Sequence, residues 1–338
     1  MKSHRRNLVP LVYVAIMLSP AAFGEMSALR SHRIEGQSYV TVGDLAGYYH
    51  LGRGIRDDGK RIEYRTGASH LILEADSREI QLNGVGHWLS VPVLFARGGF
   101  WVTPLDILKT IDPILRHGRT PAVPGMCTVV IDPGHGGRDE GTHGAHSREK
   151  DMTLDLAKQV AHDLEAVDGL RVLMTRTSDV TVALEQRVEF CRSEHADLYV
   201  SLHFNAGGTA DGIETYCVPP AGAPTTAHSP YEGEAEAAGA NMAVTNNRFD
   251  EQNVWLAHCV QKSLLQATHA NDRGVRRARF YVLRYATCPA ILVEGGFLSS
   301  RAEEGKILTP EYRAVLARAI AEGIAAYAGK STGGEDRS

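Results

Sequence analysis

The sequence predicts an α/β protein: a twisted, mostly parallel β-sheet flanked by helices, preceded by a small β-rich α+β domain. In residues 127–328, short β-branched runs with little polar alternation are separated by stretches of helical apolar spacing, which is typical of parallel strands covered on both faces. In residues 26–118, short alternating runs are instead separated by turn-forming residues. The 338 residues, 43% of them hydrophobic, suffice for one large domain or two moderate ones.

The first 24 residues predict a signal peptide. A positively charged segment, "MKSHRRN", precedes the apolar run "LVPLVYVAIML", and "SPAAFG" offers small residues for cleavage after Gly24. The apolar run is shorter than the ~18 residues that a spanning helix needs. An uncleaved membrane anchor is the alternative interpretation. We expect an exported protein of the periplasm or cell envelope, with no stable membrane span in its mature form.

Residues 26–118 predict a small accessory domain of strands and two short helices. Its candidate strands are "SYVTV", "RIEYRT", "HLILEA", "REIQL" and "WLSVPV", separated by the turn formers "DDGK", "GAS" and "NGVG". The stretch 38–49 is weakly repeated in 99–111, since both place an aromatic, Val and Thr before an Asp and a helical pattern. This pattern resembles the stalk domain known as the copper amine oxidase N-terminal-like domain, without a copper site. Four isolated histidines are expected on its surface: His32, His50, His70 and His87.

A linker over residues 119–126 leads into the region of strand and helix alternation at 127–328. Its candidate strands are "CTVVID", "RVLMT", "LYVSLH", "GIETYCV", "FYVL" and "AILVE". Apolar residues spaced four apart predict helices over 151–167, 255–269 and 310–327. Residues 219–253 interrupt the alternation with a long surface excursion that contains a short helix near 232–243. The tail, 329–338, is expected to be disordered.

Charge and cysteine content argue against several classes of protein. The formal net charge of -4 provides no basic field for binding nucleic acid. The five cysteines are widely spaced and contain no CxxC pair, so a cysteine-based zinc site has little support. In an exported protein an odd number leaves at least one free thiol. We expect small buried side chains with one bridge among them at most.

The segment "IDPGHGG" places His135 among glycines at the predicted end of a strand. Phosphate binding is one interpretation. However, neither G-x-x-x-x-G-K-[ST] nor G-x-G-x-x-G is present, and the residues that follow are acidic. Metal binding fits better, because a second histidine, His203, ends another predicted strand, and the ends of parallel strands meet at one edge of a sheet.

Two imidazoles and one carboxylate form the ligand set of hydrolytic zinc sites, which keep a fourth position for water. His135, His203 and Glu149 supply this set, although their long-range spacing alone does not prove a site. Glu149 also stands where a carboxylate stabilises a helix N-terminus. Three nearer carboxylates remain alternative third ligands: Asp132, Asp139 and Glu140.

Glu294 follows the apolar run "PAILV" at another predicted strand end. A buried carboxylate there is unfavourable unless it is paired or functional. One interpretation is an ion pair with an arginine of "DRGVRRARFYVLR", and the other is a general base beside a metal-activated water. The residues alone leave both interpretations open.

Three blocks that span nearly all of residues 127–327 occur in the order found in a known enzyme family. The blocks are "VVIDPGHGGRDEGTHGAHSREKDMTLDLAKQVAHDL", "VLMTRTSDVTVALEQRVEFCRSEHADLYVSLHFNA" and "RGVRRARFYVLRYATCPAILVEGGFLSS". They resemble the zinc-dependent N-acetylmuramoyl-L-alanine amidases of the family 3 type. The resemblance implies one Zn²⁺ bound by His135, Glu149 and His203, with Glu294 as the catalytic glutamate. It also implies the same sheet-and-helix fold, with Phe204 where the family usually has a smaller residue.

By resemblance, the expected reaction is hydrolysis of the amide between N-acetylmuramic acid and L-alanine of the peptidoglycan stem peptide. Zinc would activate the water and Glu294 would act as general base. Asn205 and Arg273 are candidate substrate-binding residues. Peptidoglycan is the expected partner, and a protein activator is a further candidate. The alternatives are a non-catalytic peptidoglycan-binding protein that keeps the fold, and a zinc peptidase that cuts within the stem peptide. Some family members carry a blocking helix where this chain has residues 219–253.

Overall fold

A computed structural model describes residues 29–57, 59–67, 69–116, 125–226 and 242–330. Within these ranges the strands are β1 His32–Ile34, β2 Gln37–Thr41, β3 Ile55–Asp57, β4 Arg61–Arg65, β5 His70–Glu74, β6 Glu79–Leu82, β7 Val85–Trp88, β8 Leu94–Ala96, β9 Gly99–Val102, β10 Cys127–Pro133, β11 Leu170–Met174, β12 Leu198–Asn205, β13 Ile213–Cys217, β14 Asp272–Arg277 and β15 Ala290–Phe297. The α-helices are α1 Val42–Tyr48, α2 Pro104–Asp106, α3 Asp112–Leu115, α4 Glu149–Glu165, α5 Leu184–Ser193, α6 Asp250–Thr268, α7 Tyr281–Tyr285, α8 Arg301–Ile307 and α9 Pro310–Ala328.

Eleven strands form one continuous sheet, in the order β11-β10-β12-β15-β13-β14-β7-β6-β5-β4-β3. Strands β11, β10, β12 and β15 are mutually parallel, whereas β13 is antiparallel to β15 and parallel to β14. A second sheet of four strands has the order β1-β2-β9-β8. The prediction of a mostly parallel sheet with helices, preceded by a small β-rich part, is confirmed.

Helices cover both faces of the central sheet. On one face, α4, α6 and α9 bury a common apolar core that includes Leu156, Val260 and Leu316. On the other face, α5 and α7 bury Cys191 and Leu283 against the sheet. Strands covered in this way have no solvent face, which explains why their sequences are nearly continuous apolar runs.

Two of the predicted strands are wrong. "FYVL" lies largely in helix α7, because a four-residue apolar run does not by itself distinguish a strand from a helix. The strand in this part of the chain is the polar stretch β14, which precedes α7 and was not predicted. "WLSVPV" contributes only Trp88 to a strand, because a two-residue turn at Asn83 and Gly84, both with positive φ, starts β7 immediately afterwards.

The weak repeat in the accessory region corresponds to two similar strand-to-helix units. Thr41 at the end of β2 caps helix α1, and its side chain accepts a hydrogen bond from the Asp44 backbone N–H at 2.9 Å. Thr103, just after β9, caps α2 in the same way through the Asp106 N–H at 3.1 Å. The shared Thr-x-x-Asp pattern is therefore a pair of helix caps.

Some of the predicted features lie outside the described residues. They are the signal peptide, residues 119–124 of the linker, most of the helix near 232–243, and residues 331–338 of the tail. Among the described helices, none is both long and apolar enough to cross a membrane.

His87 was expected on the surface, but it is fully buried. Strand β7 continues the main sheet beside β14, with His87 opposite Val275, and the His87 side chain packs against helix α6. The His87 Nε2 atom lies 3.0 Å from Nδ1 of His258 on helix α6, and the two rings stack. Burial, together with the nearby His258 and Arg277, holds the pKa of His87 well below its ordinary value.

This buried histidine predicts a pH-dependent stability. Because the folded protein keeps His87 neutral, the unfolded chain binds the extra proton below about pH 6.5. Its contribution to stability is therefore complete above that pH and is lost as the pH falls. Compared with His87→Gln, the wild type should lose up to about 1.4 kcal/mol more stability per pH unit between pH 6 and 5. Denaturant unfolding at several pH values measures this difference.

His162→Gln, which removes an exposed histidine of α4, provides the control and should keep the wild-type slope. Equal slopes for the wild type and His87→Gln would contradict the assignment of this pH dependence to His87.

Candidate metal centre

Two of the candidate site residues, His203 and Glu294, lie in one row across the central strands. His203 on β12 is paired in register with Glu294 on β15, and Glu294 is paired with Glu214 on β13. Residues directly opposite each other on neighbouring strands project to the same face of a sheet. On the other side of β12, Gly134 continues the row, and its N–H donates to the Leu202 carbonyl. The sheet therefore places one imidazole and two carboxyl groups side by side.

Glycines leave the room that the histidine rings occupy. A Cβ atom at Gly134 would lie 2.2 Å from Cε1 of His203. One at Gly141 would lie 2.6 Å from Oε2 of Glu149 and 2.7 Å from Cδ2 of His135. A side chain at either position would push a candidate ligand aside, so both glycines are required by close approach.

The chain turns sharply at His135, which has a positive φ of 61°. Such a conformation is uncommon for a residue other than glycine and costs on the order of 1 kcal/mol or more. Buried guanidinium groups hold the loop in place: Arg187 of α5 donates to the His135 carbonyl at 2.6 Å, and Arg176 donates to the Gly134 carbonyl at 2.7 Å. These contacts fix the strained turn that directs the His135 ring towards Glu149.

Glu149, the first residue of α4, lies between the two imidazoles. Its Oε1 is 3.0 Å from Nε2 of His135 and 2.8 Å from Nδ1 of His203. Burial acts to raise the pKa of Glu149, but its hydrogen bonds with the two histidines outweigh that effect and lower it. Glu149 is therefore a carboxylate at neutral pH, the ionisation state that a metal ligand needs.

The three alternative third ligands have other partners. Asp139 accepts a hydrogen bond from Nδ1 of His135 at 2.9 Å, on the side of the ring away from Glu149. Asp132 is buried and accepts from Arg187, Tyr199 and Ser201. Glu140 lies near the surface and pairs with Arg148 and His143. The structure thus brings together His135, Glu149 and His203, and it places Asp139 where it orients the first of them.

The convergence of these side chains fits a zinc ion. Their three donor atoms all lie within 4.8 Å of one another, and each imidazole presents a ring nitrogen to the same carboxylate oxygen. Two histidines and a carboxylate are the protein ligands of several hydrolytic zinc sites. The hydrogen bond from His135 to Asp139 is the kind of outer contact that fixes a metal-bound imidazole.

Glu294 is almost completely buried, at 8% exposure, and its Oε2 has no hydrogen-bond partner among the described residues. Burial, together with the nearby Glu149 and Glu214 carboxylates, raises the pKa of Glu294 well above its ordinary value. The ion pair considered for Glu294 is not formed within the described ranges. Two arginines of that segment, Arg273 and Arg276, pair with Glu214 instead.

Glu214 was missed by the sequence analysis. It is 1% exposed, and its Oε2 accepts from Arg273 Nε at 2.9 Å and Arg276 Nη1 at 2.8 Å. Its Oε1 accepts from Asn205 Nδ2 at 2.5 Å and the Tyr216 hydroxyl at 2.8 Å. Both candidate substrate-binding residues, Asn205 and Arg273, are thus held by one buried carboxylate. A carboxylate inside the apolar run "GIETYCV" was the signal that could have identified it.

Comparison with known proteins identifies the family of this site. Residues 129–326 match amidase family 3, described as N-acetylmuramoyl-L-alanine amidase, over more than half of the chain. This chain belongs to that amidase family. The match contains all the residues of the row and the loop described above.

Two curated relatives and one solved structure agree with this assignment. The sporulation-specific N-acetylmuramoyl-L-alanine amidase of Bacillus subtilis is 32% identical, over 59% of this chain and 67% of its own length. N-acetylmuramoyl-L-alanine amidase LytC of the same organism is 33% identical, over 65% of this chain and 41% of its own length. The catalytic domain of the amidase CwlV from Bacillus (Paenibacillus) polymyxa is 31% identical with a TM-score of 0.50, and the match covers 61% of this amidase and 100% of that domain.

Proposed function

We propose that this amidase is an exported zinc hydrolase that cleaves the amide between N-acetylmuramic acid and L-alanine of the peptidoglycan stem peptide. The observation that carries the proposal is the convergence of His135, Glu149 and His203, with the buried carboxyl group of Glu294 on the adjacent strand. One zinc ion held by these three side chains supplies Lewis acidity, which makes water more acidic and polarises a carbonyl group.

Glu294 is proposed as the group that moves the proton. Its carboxylate takes a proton from the attacking water and later delivers it to the alanine nitrogen as the carbon–nitrogen bond breaks. A general base works best when its pKa lies near the working pH, and burial raises the pKa of Glu294 in that direction. Burial also excludes bulk water from the proton that is transferred.

Arg273 and Asn205 are proposed to bind polar groups of the substrate beside this base. Arg273 lies at the start of β14 and remains about a third exposed, at 32% of its side chain. Its Nε is held by Glu214, and its guanidinium group lies over the Phe297 ring, 4.8 Å from the centroid. An oriented guanidinium group at the wall of the site can donate hydrogen bonds to carbonyl or carboxylate oxygens of a peptide.

Glu214 should therefore act on the reaction through its partners. Arg273→Ala should lower kcat/KM by roughly 10- to 100-fold, mainly through KM, because a charged hydrogen bond contributes about 1.5–3 kcal/mol. Glu214→Gln should have an effect in the same direction, and the double variant should lose less than the product of the two. Steady-state kinetics on a defined muropeptide measures this coupling.

Arg192→Gln, which breaks an exposed ion pair with Glu189 on α5, is a control for loss of a surface arginine. Since Glu214→Gln also removes the carboxylate that pairs with the half-buried Arg276, Arg273→Lys is the milder second test. Unchanged kinetics in both Arg273 variants would contradict the assigned role.

Product analysis tests the proposed reaction directly. Purified peptidoglycan is digested with the amidase, with and without a chelator, and the products are identified by mass spectrometry. We expect intact glycan with unmodified muramic acid, peptides that start with alanine, and no release in the chelator. Peptides cut within the stem would indicate a zinc peptidase. Binding without release would indicate a peptidoglycan-binding protein, and either result would overturn the proposal.

Export, domain boundaries and partners complete the proposal. Residues 1–24 are proposed as the signal peptide, which would deliver the amidase to the periplasm or cell envelope where peptidoglycan lies. Residues 26–118 are proposed as an accessory domain and 127–328 as the catalytic domain. A protein activator is a further candidate partner.

A further inference from the structure

Two buried cysteines lie in contact on the face of the sheet opposite α4, α6 and α9. Cys191 belongs to helix α5, and Cys288 lies two residues before β15. Their Sγ atoms are 3.3 Å apart, and the side chains are 0% and 3% exposed, respectively. Among the five cysteines, all of which the structure describes, no other two sulfur atoms are in contact. We propose that Cys191 and Cys288 form a disulfide bond when the amidase folds in an oxidising compartment.

The geometry supports a bond with little rearrangement. A disulfide has a sulfur–sulfur distance of about 2.05 Å, so the two atoms must approach by about 1.3 Å. The backbone beside Cys288 is already fixed, because the buried side chain of Asn246 donates to the Cys288 carbonyl at 2.8 Å and to the Ala286 carbonyl at 3.0 Å. Helix α5 can therefore close the gap by a small shift towards a rigid partner.

The reaction needs a disulfide oxidant, such as oxidised glutathione or an envelope thiol oxidase. The thiolate of one cysteine attacks a sulfur of the oxidant's disulfide, which breaks that bond, forms a mixed disulfide and releases one thiol of the oxidant. The thiolate of the other cysteine then attacks the mixed disulfide and releases the second thiol of the oxidant. A sulfur–sulfur bond forms, two protons and two electrons leave the pair, and the oxidant becomes two thiols. Because both sulfurs are buried, the exchange must occur during folding or local opening.

The remaining three cysteines have different surroundings. Arg277 on β14 donates a hydrogen bond from Nη1 to the sulfur of Cys217, at 2.9 Å. Burial raises the pKa of Cys127 to about 11 and of Cys259 to about 12, so both remain thiols at neutral pH. One bridge and three thiols account for the odd number of cysteines in an exported chain.

The bridge would connect helix α5, which supports the His135 loop, to the start of the strand that carries Glu294. Helix α5 carries Arg187, one turn before Cys191, and Arg187 donates to the His135 carbonyl at 2.6 Å. Strand β15, which begins two residues after Cys288, carries Glu294. A covalent link between α5 and the start of β15 therefore limits movement between the His135 loop and the strand of the proposed base.

This inference rests on the proposed export, and its test does not depend on activity. The full-length mature amidase is refolded with oxidised and reduced glutathione, denatured, and assayed for thiols and intact mass. We expect three thiols rather than five, a mass lower by two hydrogens, and a single peptide pair that joins Cys191 to Cys288. Reduction should lower the melting temperature by roughly 5 to 15 °C.

Two serine variants make the assignment specific. Cys191→Ser should show four thiols after oxidation, with no bridge. The control Cys259→Ser should show two thiols and retain the bridge. Five thiols in the oxidised wild type, or a bridge between any other two cysteines, would overturn the proposal. The wild-type thiol count decides the question even if Cys191→Ser does not fold, and failure of the amidase reaction would leave this result unchanged.

Discussion

Glu294→Gln is expected to abolish measurable turnover of peptidoglycan while zinc remains bound. Glutamine has the shape of the protonated acid, and the burial and neighbouring carboxylates that raise the pKa of Glu294 also favour a neutral side chain there. The substitution therefore removes proton transfer without removing a ligand. Loss of a general base typically lowers rates by about 10²- to 10⁴-fold. Release of stem peptides, measured together with zinc content and melting temperature, tests the expectation.

The control is Glu189→Gln, which neutralises an exposed carboxylate of α5 that pairs with Arg192. It should retain wild-type activity. The proposed role of Glu294 would be wrong if Glu294→Gln released stem peptides at the wild-type rate. A variant that lost zinc as well would place Glu294 among the ligands instead, which would require a different base.

The fold was predictable where local pattern and tertiary environment agree. Strands β10, β12 and β15 are apolar runs because they are buried on both faces, and the run itself predicts the burial. Strand β14 was not predictable in this way. Its arginines lie in the sheet because distant groups accept their hydrogen bonds: Glu214 for Arg276, and Thr110 and the Lys109 carbonyl for Arg277. No pattern within β14 contains that information.

The grouping of the candidate site residues was predictable to a similar extent. Strand ends indicated that His135, His203 and Glu294 lie close together, since parallel strands deliver their carboxyl ends to one edge of a sheet. The residues alone did not decide between Glu149 and Asp139 as the third ligand, because both follow His135 closely in the sequence. The three-dimensional arrangement places Glu149 between the two imidazoles and Asp139 behind one of them.

Removing a proposed zinc ligand should have the second large effect, and it should differ in kind from the loss of Glu294. His135→Ala is expected to abolish both zinc binding and turnover, because the two remaining side chains no longer complete a set of three. Zinc should raise the melting temperature of the wild type, since a ligand that binds only the folded state stabilises it. The variant should show no such increase. Metal analysis, thermal melting with and without zinc, and peptide release measure these three effects.

Two neighbouring substitutions separate a ligand from the residues around it. Asp139→Asn weakens the contact that orients the His135 ring, so zinc affinity should fall by about 10- to 100-fold while saturating zinc restores activity. His143→Ala removes a mostly exposed imidazole of the same loop, which pairs with Glu140, and should leave both zinc binding and activity unchanged. If Asp139→Asn lost zinc as completely as His135→Ala, Asp139 would be a ligand. In that case Glu149→Gln should still bind zinc. The position of Glu149 between the two imidazoles instead predicts that Glu149→Gln loses zinc.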